Sequence, residues 1–158
     1  MRTDSVCAAV AAAVLLPCTA AIAAEVKVRM SDLPPAVQGA VKEQSKGATV
    51  RGLTKESENG KTEYEAELKV NGHNRDVSFD ASGNVISVED EVPLASVPNA
   101  ARVRIQKAME GGTLRKVELV KENGKTFYEA TIRKAGKSSE IQPEWRFDQV
   151  KLGRPVRC

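Results

Sequence analysis

Carboxylates are the most plentiful side chains in this sequence that could do chemistry, and several occupy alternate positions of one segment. Glu63, Glu65 and Glu67 alternate with apolar residues, and Glu129 lies in a later copy of the same motif. On a β-strand these glutamates would share one face, about 7 Å apart. Glycosidases use carboxylate pairs at such distances, but they need a pocket that raises the pKa of one member. Lysines at both ends of the segment instead predict a solvated face.

The other reactive side chains do not form a catalytic or metal-binding set. His73 is the only histidine and follows an Asn-Gly pair, so we expect it in an exposed turn. One histidine and a terminal cysteine, Cys158, cannot supply a nucleophilic triad or a histidine-rich metal site. The serines lack a nucleophile-elbow context, and the glycines do not form a phosphate-binding loop. We therefore expect a non-enzymatic protein with no catalytic, cofactor or metal residues.

An acidic run, Glu89-Asp90-Glu91, precedes Val92-Pro93. It lacks the ligand spacing of a calcium loop, so we interpret Glu89–Leu94 as a connector between two parts of the chain. A periplasmic protein that binds a small ligand or a divalent cation, through this run or the glutamate-rich strand, is the alternative to protein binding.

The N-terminus has the pattern of a secretory signal peptide. Arg2 precedes the small, apolar run Val6–Ala24, which ends in an Ala-rich cleavage pattern. We predict a leader over residues 1–24, cleavage after Ala23 or Ala24, and a periplasmic or secreted protein without a membrane span after cleavage. A retained anchor and a lipoprotein modified at Cys18 are the alternatives.

The composition fits one soluble domain after cleavage. The chain has 158 residues and a formal net charge of +3 with both signs mixed along it. Nucleic-acid binding needs clustered basic residues, so we expect no nucleic-acid partner. Cys7 and Cys18 lie in the leader, which leaves Cys158 alone and predicts no internal disulfide.

The chain contains an internal duplication. Residues 33–68 align without gaps on residues 97–132, and Glu58-Asn59-Gly60-Lys61-Thr62 recurs as Glu122-Asn123-Gly124-Lys125-Thr126. Tyr64-Glu65-Ala66 likewise recurs as Tyr128-Glu129-Ala130. Two fused equivalent units fit two copies better than an open solenoid does.

Each unit has the same order of predicted elements. A helix begins near Pro34 or Pro98 and stops at Gly47 or Gly111, with one apolar stripe in each helix. Strands joined by Asn-Gly turns follow, which is a strong hairpin signal. We therefore predict an α+β fold of two tandem repeats, residues 25–94 and 95–158, each a helix packed on an antiparallel β-meander of about four strands. The second repeat diverges after Ile141, where Trp145 and Phe147 are expected to fill a core.

These features resemble a bacterial family of secreted proteins, the PepSY-like, β-lactamase-inhibitor-like proteins. The resemblance rests on the leader, the Leu-Pro-x-Ala-Val helix opening, the Gly-Lys-Thr-x-Tyr-Glu-Ala strand, the Asp-x-x-Gly-Asn-Val-Ile strand and the tandem duplication. It implies helices on one face of an antiparallel sheet, with the other face free to bind protein. One branch inhibits β-lactamases, and the related PepSY domain is associated with peptidase regulation.

We therefore predict an exported protein-binding module that inhibits or regulates an envelope or secreted enzyme. Phe127 replaces Glu63 in the second copy, and an aromatic residue on an exposed face is a candidate interface anchor. Burial against the other unit is its alternative role. The candidate contact face comprises Glu63, Glu65, Glu67, Phe127, Glu129 and Thr131.

Overall fold

The computed structural model describes residues 25–58 and 60–142. It contains one antiparallel sheet of eight strands in sequence order, and two α-helices. The strands are β1 (Val26–Lys27), β2 (Thr49–Glu58), β3 (Lys61–Val70), β4 (His73–Asp80), β5 (Val85–Glu91), β6 (Thr113–Glu122), β7 (Lys125–Lys134) and β8 (Lys137–Ile141). The helices are α1 (Pro35–Gln44) and α2 (Asn99–Ala108). The predicted α+β class with an antiparallel sheet is confirmed.

Tight turns of one type close the β3–β4 and β6–β7 hairpins. Asn71 and Gly72 have φ of 48° and 86°, and Asn123 and Gly124 have φ of 50° and 72°. Two consecutive positive φ values define the type I′ turn, whose twist matches that of the flanking strands. The Asn-Gly pairs therefore fix the register of these hairpins, as the sequence indicates.

Each of the two helices begins after a proline, which has no backbone N–H and therefore needs no hydrogen-bond acceptor. Pro34 and Pro98 occupy the N-cap positions, where the backbone N–H of an internal residue would have no acceptor in the helix. Val37 and Val41 of α1 are fully buried, as are Ala101 and Ile105 of α2. Full burial of each branched side chain contributes about 1.5 to 3 kcal/mol.

Both helices lie on the same face of the sheet. α1 packs in a core cluster with Leu53, Tyr64 and Phe79, and α2 packs in a second cluster with Val117 and Tyr128. Directly paired residues of adjacent strands share a face. One row of such pairs crosses β4 to β7 and shows that the two clusters lie on one face: Arg75, Asp90, Leu119 and Tyr128. We call the opposite face, which carries Glu65, Glu89 and Glu118, the open face.

The duplication appears as a constant offset of 64 residues between equivalent elements. α1 and α2 begin at residues 35 and 99 (99 − 35 = 64), and β2 and β6 begin at 49 and 113 (113 − 49 = 64). The same offset relates β3 to β7 (125 − 61 = 64) and β4 to β8 (137 − 73 = 64). The register irregularity after Val50 recurs after Leu114, so the copies share even their local distortions.

One sequence-based expectation is wrong. Residues Glu89–Glu91 belong to strand β5 and not to a connector, because β5 extends to Glu91 and pairs with both β4 and β6. The acidic run therefore lies in the middle of the sheet. The leader, Trp145, Phe147 and Cys158 lie outside the described residues. Within residues 25–58 and 60–142, no helix has the length and apolar character needed to cross a membrane.

Candidate functional site

The predicted contact residues share the open face. Glu65 pairs with Thr54 on one side and Ser78 on the other, while Glu129 pairs with Glu118. The six predicted residues are on the third strand, β3 (Glu63, Glu65, Glu67), and on the seventh, β7 (Phe127, Glu129, Thr131). The structure thus places all six on one face but at two sites within it.

The open face is concave. A pocket of about 270 Å³ is lined by Arg51 of β2, Glu67 of β3, Asp76 of β4, and Lys116 and Glu118 of β6. In a flat sheet β2 and β6 would lie roughly 19 Å apart, at about 4.8 Å per strand. Their side chains nevertheless line one pocket, so this face is concave between the two strands.

Polar side chains are buried on this face although neither helix covers it. Glu118 is 2% exposed, Thr54 4% and Ser87 7%. An ionised carboxylate with so little exposure needs a partner. Lys116 provides it, since its Nζ lies 2.7 Å from Glu118 Oε1. Burial lowers the pKa of Lys116, but the hydrogen bond and ion pair with Glu118 outweigh it, and the net pKa is raised.

Carboxylates stand directly opposite one another in two adjacent rows. In the first row Glu67 pairs with Asp76, and Asp76 pairs with Glu89. In the second row Glu91 pairs with Glu118, which also pairs with Glu129. Like charges directly opposite each other in a sheet are destabilising, so the free protein retains electrostatic repulsion here.

Burial and this repulsion raise the pKa of the central carboxyls. Desolvation, followed by the charges of Asp76 and neighbouring glutamates, raises the pKa of Glu65 to about 7. Desolvation and then Glu118 and Glu129 raise the pKa of Glu89 to about 7. Burial is also the largest cause of the raised pKa values of Asp76, Glu118 and Glu129.

The expectation of a fully solvated carboxylate face is therefore wrong. Glu63 is exposed, but Glu65 and Glu67 are only partly exposed and lie beside pockets. Asp76 and Glu118 also belong to this face, although the sequence alone did not single them out. The duplication offered a signal for Glu118. It predicts a hairpin in the second copy, and Glu118 lies on the strand that pairs with the strand of Glu129, on the same face.

The carboxyl groups of the two rows and Glu65 share the direction of their resolved pKa shifts, whereas the pKa of Asp80, which pairs with Glu63 at the end of β4, is lowered by hydrogen bonds from Asn84. On the open face, each resolved pKa shift of a carboxyl in the two rows, and that of Glu65, is upward. Among the residues described, no group of three or more His, Cys, Asp or Glu side chains is arranged to hold a metal ion.

An apolar pair lies beside the acidic rows. Val120 of β6 is 4% exposed and pairs directly with Phe127 of β7, which is partly exposed. The opposite neighbour of Val120 is Glu89. Phe127 is therefore on the open face, as predicted, where its ring contributes apolar area at the border of the carboxylates.

Comparison with known proteins identifies the family and the fold. The family model described as "Putative beta-lactamase-inhibitor-like, PepSY-like" matches residues 22–86 and again residues 62–149. No curated protein sequence matches this chain.

Solved structures from Bacteroides species share the fold. A DUF2874 family protein from Bacteroides uniformis has a TM-score of 0.52 at 20% identity, covering 70% of this chain and 82% of that one. A structure from Bacteroides eggerthii described as "putative periplasmic proteins" has a TM-score of 0.52 at 17% identity, covering 70% of this chain and 88% of that one. A DUF2874 family protein from Bacteroides ovatus has a TM-score of 0.51 at 16% identity, covering 70% and 81%.

Proposed function

This chain belongs to the PepSY-like, β-lactamase-inhibitor-like family, and from that premise we propose that it is an exported, non-enzymatic module that binds another protein through its open face. The observation that carries the proposal is the concave open face itself. It bears a pocket of about 270 Å³ and the Val120–Phe127 pair on the side of the sheet away from both helices.

A comparison of the two copies supports a function for this face. Positions that face the helices keep their type, as Tyr64 and Tyr128 do at 8% and 7% exposure. Glu65 recurs as Glu129 on the open face, but other open-face positions differ between the copies: Glu63 corresponds to Phe127 (127 − 63 = 64) and Thr54 to Glu118 (118 − 54 = 64). The shared core constrains one side of the sheet, whereas the other side presents a surface that is not symmetric and can recognise one partner in one orientation.

A protein partner fits this surface better than a small molecule does. Ligand pockets for small molecules enclose most of the ligand and are mainly apolar, whereas the pocket on this face is lined mainly by charged and polar side chains. Interfaces between proteins combine apolar anchors with a polar surround, which is the arrangement around Phe127. We propose that the partner is an envelope or secreted enzyme, which this chain inhibits or regulates.

Site-specific photo-crosslinking tests the proposal. We would replace Phe127 with p-benzoylphenylalanine in cells that export the protein, and replace Val103 in the same way as a matched control. Val103 is 53% exposed on α2, on the far side of the sheet. Adducts from position 127 but not from position 103 are the expected result. Equal yields from both positions, or none from position 127, would rule out the open face as the binding surface.

We also propose the export route and the domain division. The leader is residues 1–24, and the repeats are residues 25–94 and 95–158, each a helix on its own meander within the common sheet. Intact mass measurement of the natural protein should give an N-terminus at Ala24 or Glu25. A mass that includes residues 1–23 would contradict cleavage.

A further inference from the structure

Carboxylates are concentrated on the open face of this protein. The whole chain has a formal net charge of +3. Around Lys116, however, the open face presents many carboxylates: Glu65, Glu67, Asp76, Glu89, Glu91, Glu118 and Glu129. The acidic character of this surface is therefore local and does not reflect an acidic protein.

Two cations, Arg51 and Lys116, line the pocket on this face and are fewer than its carboxylates. The Nζ of Lys116 lies 2.7 Å from Glu118 Oε1. In the described residues, the row Glu67–Asp76–Glu89 contains carboxylates at three consecutive strands without a cation among them. Partly buried carboxylates that face each other repel, and a bound cationic group would relieve that repulsion.

The carboxylates of this face have a defined spacing, which the cationic groups of a ligand would have to match. The two carboxylate rows cross β5 at Glu89 and Glu91, which are two residues apart on one strand and hence about 7 Å apart. Alternate side chains of an extended peptide have the same spacing. The Val120–Phe127 pair adjoins these rows, so apolar side chains of the same peptide would also find contacts.

We infer that the segment of the partner that lies on the open face is an extended protein stretch with arginine side chains at alternate positions and an apolar side chain at the next alternate position, so that all of them point to the same side. This inference rests on the proposed function and specifies the chemistry of its partner. Arginine is favoured over lysine because its planar guanidinium binds carboxylates in a bidentate manner and stacks on aromatic rings. Charge complementarity of this kind contributes mainly to partner choice and to the rate of association.

Protonation of the face should modulate this binding. The groups around Glu65 are Glu25, Glu67, Asp76 and Glu89, and those around Glu89 are Asp76, Lys116, Glu118 and Glu129. Most of these groups are acidic and disfavour ionisation of both glutamates. A cationic ligand offsets their charge and therefore favours the ionised state. Affinity should therefore rise as the pH increases from 6 to 8, across the raised pKa of about 7.

Peptide binding to the full chain provides the test. The probe is a fluorescent five-residue peptide with arginine at positions 1 and 3, leucine at position 5 and serine between them, and its control has citrulline, a neutral isostere, in place of each arginine. We expect the arginine peptide to bind about tenfold more tightly at pH 8 and low salt, with the difference shrinking at about 0.5 M salt. Equal affinity for both peptides, or binding of neither, overturns the inference.

Variants locate the binding on the open face. The double variant Glu89→Gln/Glu129→Gln should weaken the arginine peptide about tenfold. Glu110→Gln, which removes an exposed carboxylate after α2, should leave the affinity unchanged. Equal affinities of the two variants would overturn the inference. So would a dimer of this chain that forms without peptide and that the double variant disrupts, because the open face would then bind a second copy. The crosslinks from position 127 report on the proposed function separately, because they do not depend on the charge of the partner.

Discussion

Glu118 and Thr54 occupy the same position in the two copies of the fold, since 118 − 54 = 64, and both are buried on the open face at 2% and 4% exposure. The scaffold therefore buries this position in each copy. In the first copy a small hydroxyl side chain occupies it. In the second copy a carboxylate occupies it, and a carboxylate can remain ionised there only with a cation nearby.

The cation comes from a second position at which the two copies carry different residues. Lys116 corresponds to Gly52 (116 − 52 = 64), and their cross-strand neighbours are Thr131 and Glu67. A Cβ atom at Gly52 would lie 2.7 Å from Glu67 Oε2, so Glu67 extends over the glycine. Each of these cross-strand pairs, Gly52–Glu67 and Lys116–Thr131, thus contains one long side chain. In the second copy this side chain is the lysine that neutralises Glu118.

Lys116→Met should destabilise the protein by about 2 kcal/mol at pH 8, because it leaves the Glu118 carboxylate buried and unpaired. The cost should be smaller at pH 5, where Glu118 can bind a proton. Urea denaturation at the two pH values measures both quantities. The double variant Lys116→Met/Glu118→Leu should recover most of the loss. A single variant as stable as the parent at pH 8 would show that the pair does not contribute.

Thr131→Val should stabilise the protein by about 1 kcal/mol. The Oγ1 atom of Thr131 is buried without a hydrogen-bond partner, and such a group costs about 1 to 3 kcal/mol. Valine keeps the shape and removes the hydroxyl. Thr131→Ser is the matched control, since it keeps the hydroxyl, removes the methyl group and should be less stable than the parent. Thermal unfolding followed by circular dichroism compares the three proteins, and a loss of stability in Thr131→Val would mean that the hydroxyl is satisfied in solution.

The sequence predicted the local structure well because its signals are local. Asn-Gly pairs require the positive φ values observed at Asn71 and Asn123. Alternation of apolar and charged residues in β3 matches its alternating burial, with Tyr64, Ala66 and Leu68 buried. These features depend on neighbours a few residues away.

The misassigned strand shows where local reasoning fails. The acidic residues of Glu89-Asp90-Glu91 have low strand propensity, so their own sequence does not indicate a strand. Its pairing with β6 is non-local, because α2 lies between the two strands in the chain. Arg75 also neutralises Asp90, with its Nε 2.5 Å from Asp90 Oδ1, and one strand cannot reveal such a partner.

The same limit applies to the candidate site. Glu65 and Glu67 were identified from their own strand, but the opposition of Asp76 to Glu89 and of Glu91 to Glu118 depends on the registers of β4, β5 and β6. Raised pKa values follow from that packing. The composition of the open face was thus partly predictable, while its concavity and charge repulsion were not.

Gly83→Ala should destabilise the protein by about 3 kcal/mol. Gly83 has a φ of 82°, and an added Cβ would lie 2.7 Å from the backbone oxygen of Ala36 in α1. The strain of a positive φ is about 1 to 2 kcal/mol, and the clash with backbone adds to it. Gly72→Ala is the matched control, because Gly72 has a φ of 86° with nothing within 4 Å of its Cβ position. It should cost about 1 kcal/mol, and equal losses in chemical denaturation would exclude close packing of α1 on the β4–β5 turn.

Stability should fall as the pH rises from about 4.5 to about 7, the range between the ordinary and the folded-state pKa of Glu65 and Glu89. In this range the folded protein binds more protons than the unfolded chain does, so raising the pH favours unfolding. Below about pH 4 the trend should reverse, because the lowered pKa of Asp80, held chiefly by hydrogen bonds from Asn84, contributes stability that acid removes.

Thermal unfolding between pH 4 and pH 8 measures this profile, and the variant Glu65→Gln/Glu89→Gln identifies its source. Glutamine keeps the size of each side chain but cannot ionise, so the decline between pH 5 and pH 8 should flatten. The variant should also be more stable than the parent at pH 8, by about 1 kcal/mol for the relieved cross-strand repulsion. Glu110→Gln should leave the profile unchanged, since Glu110 is exposed and outside the carboxylate rows. A parent protein that gains stability from pH 5 to pH 8 would mean that these carboxylates are well solvated, and the electrostatic description of the open face would fail.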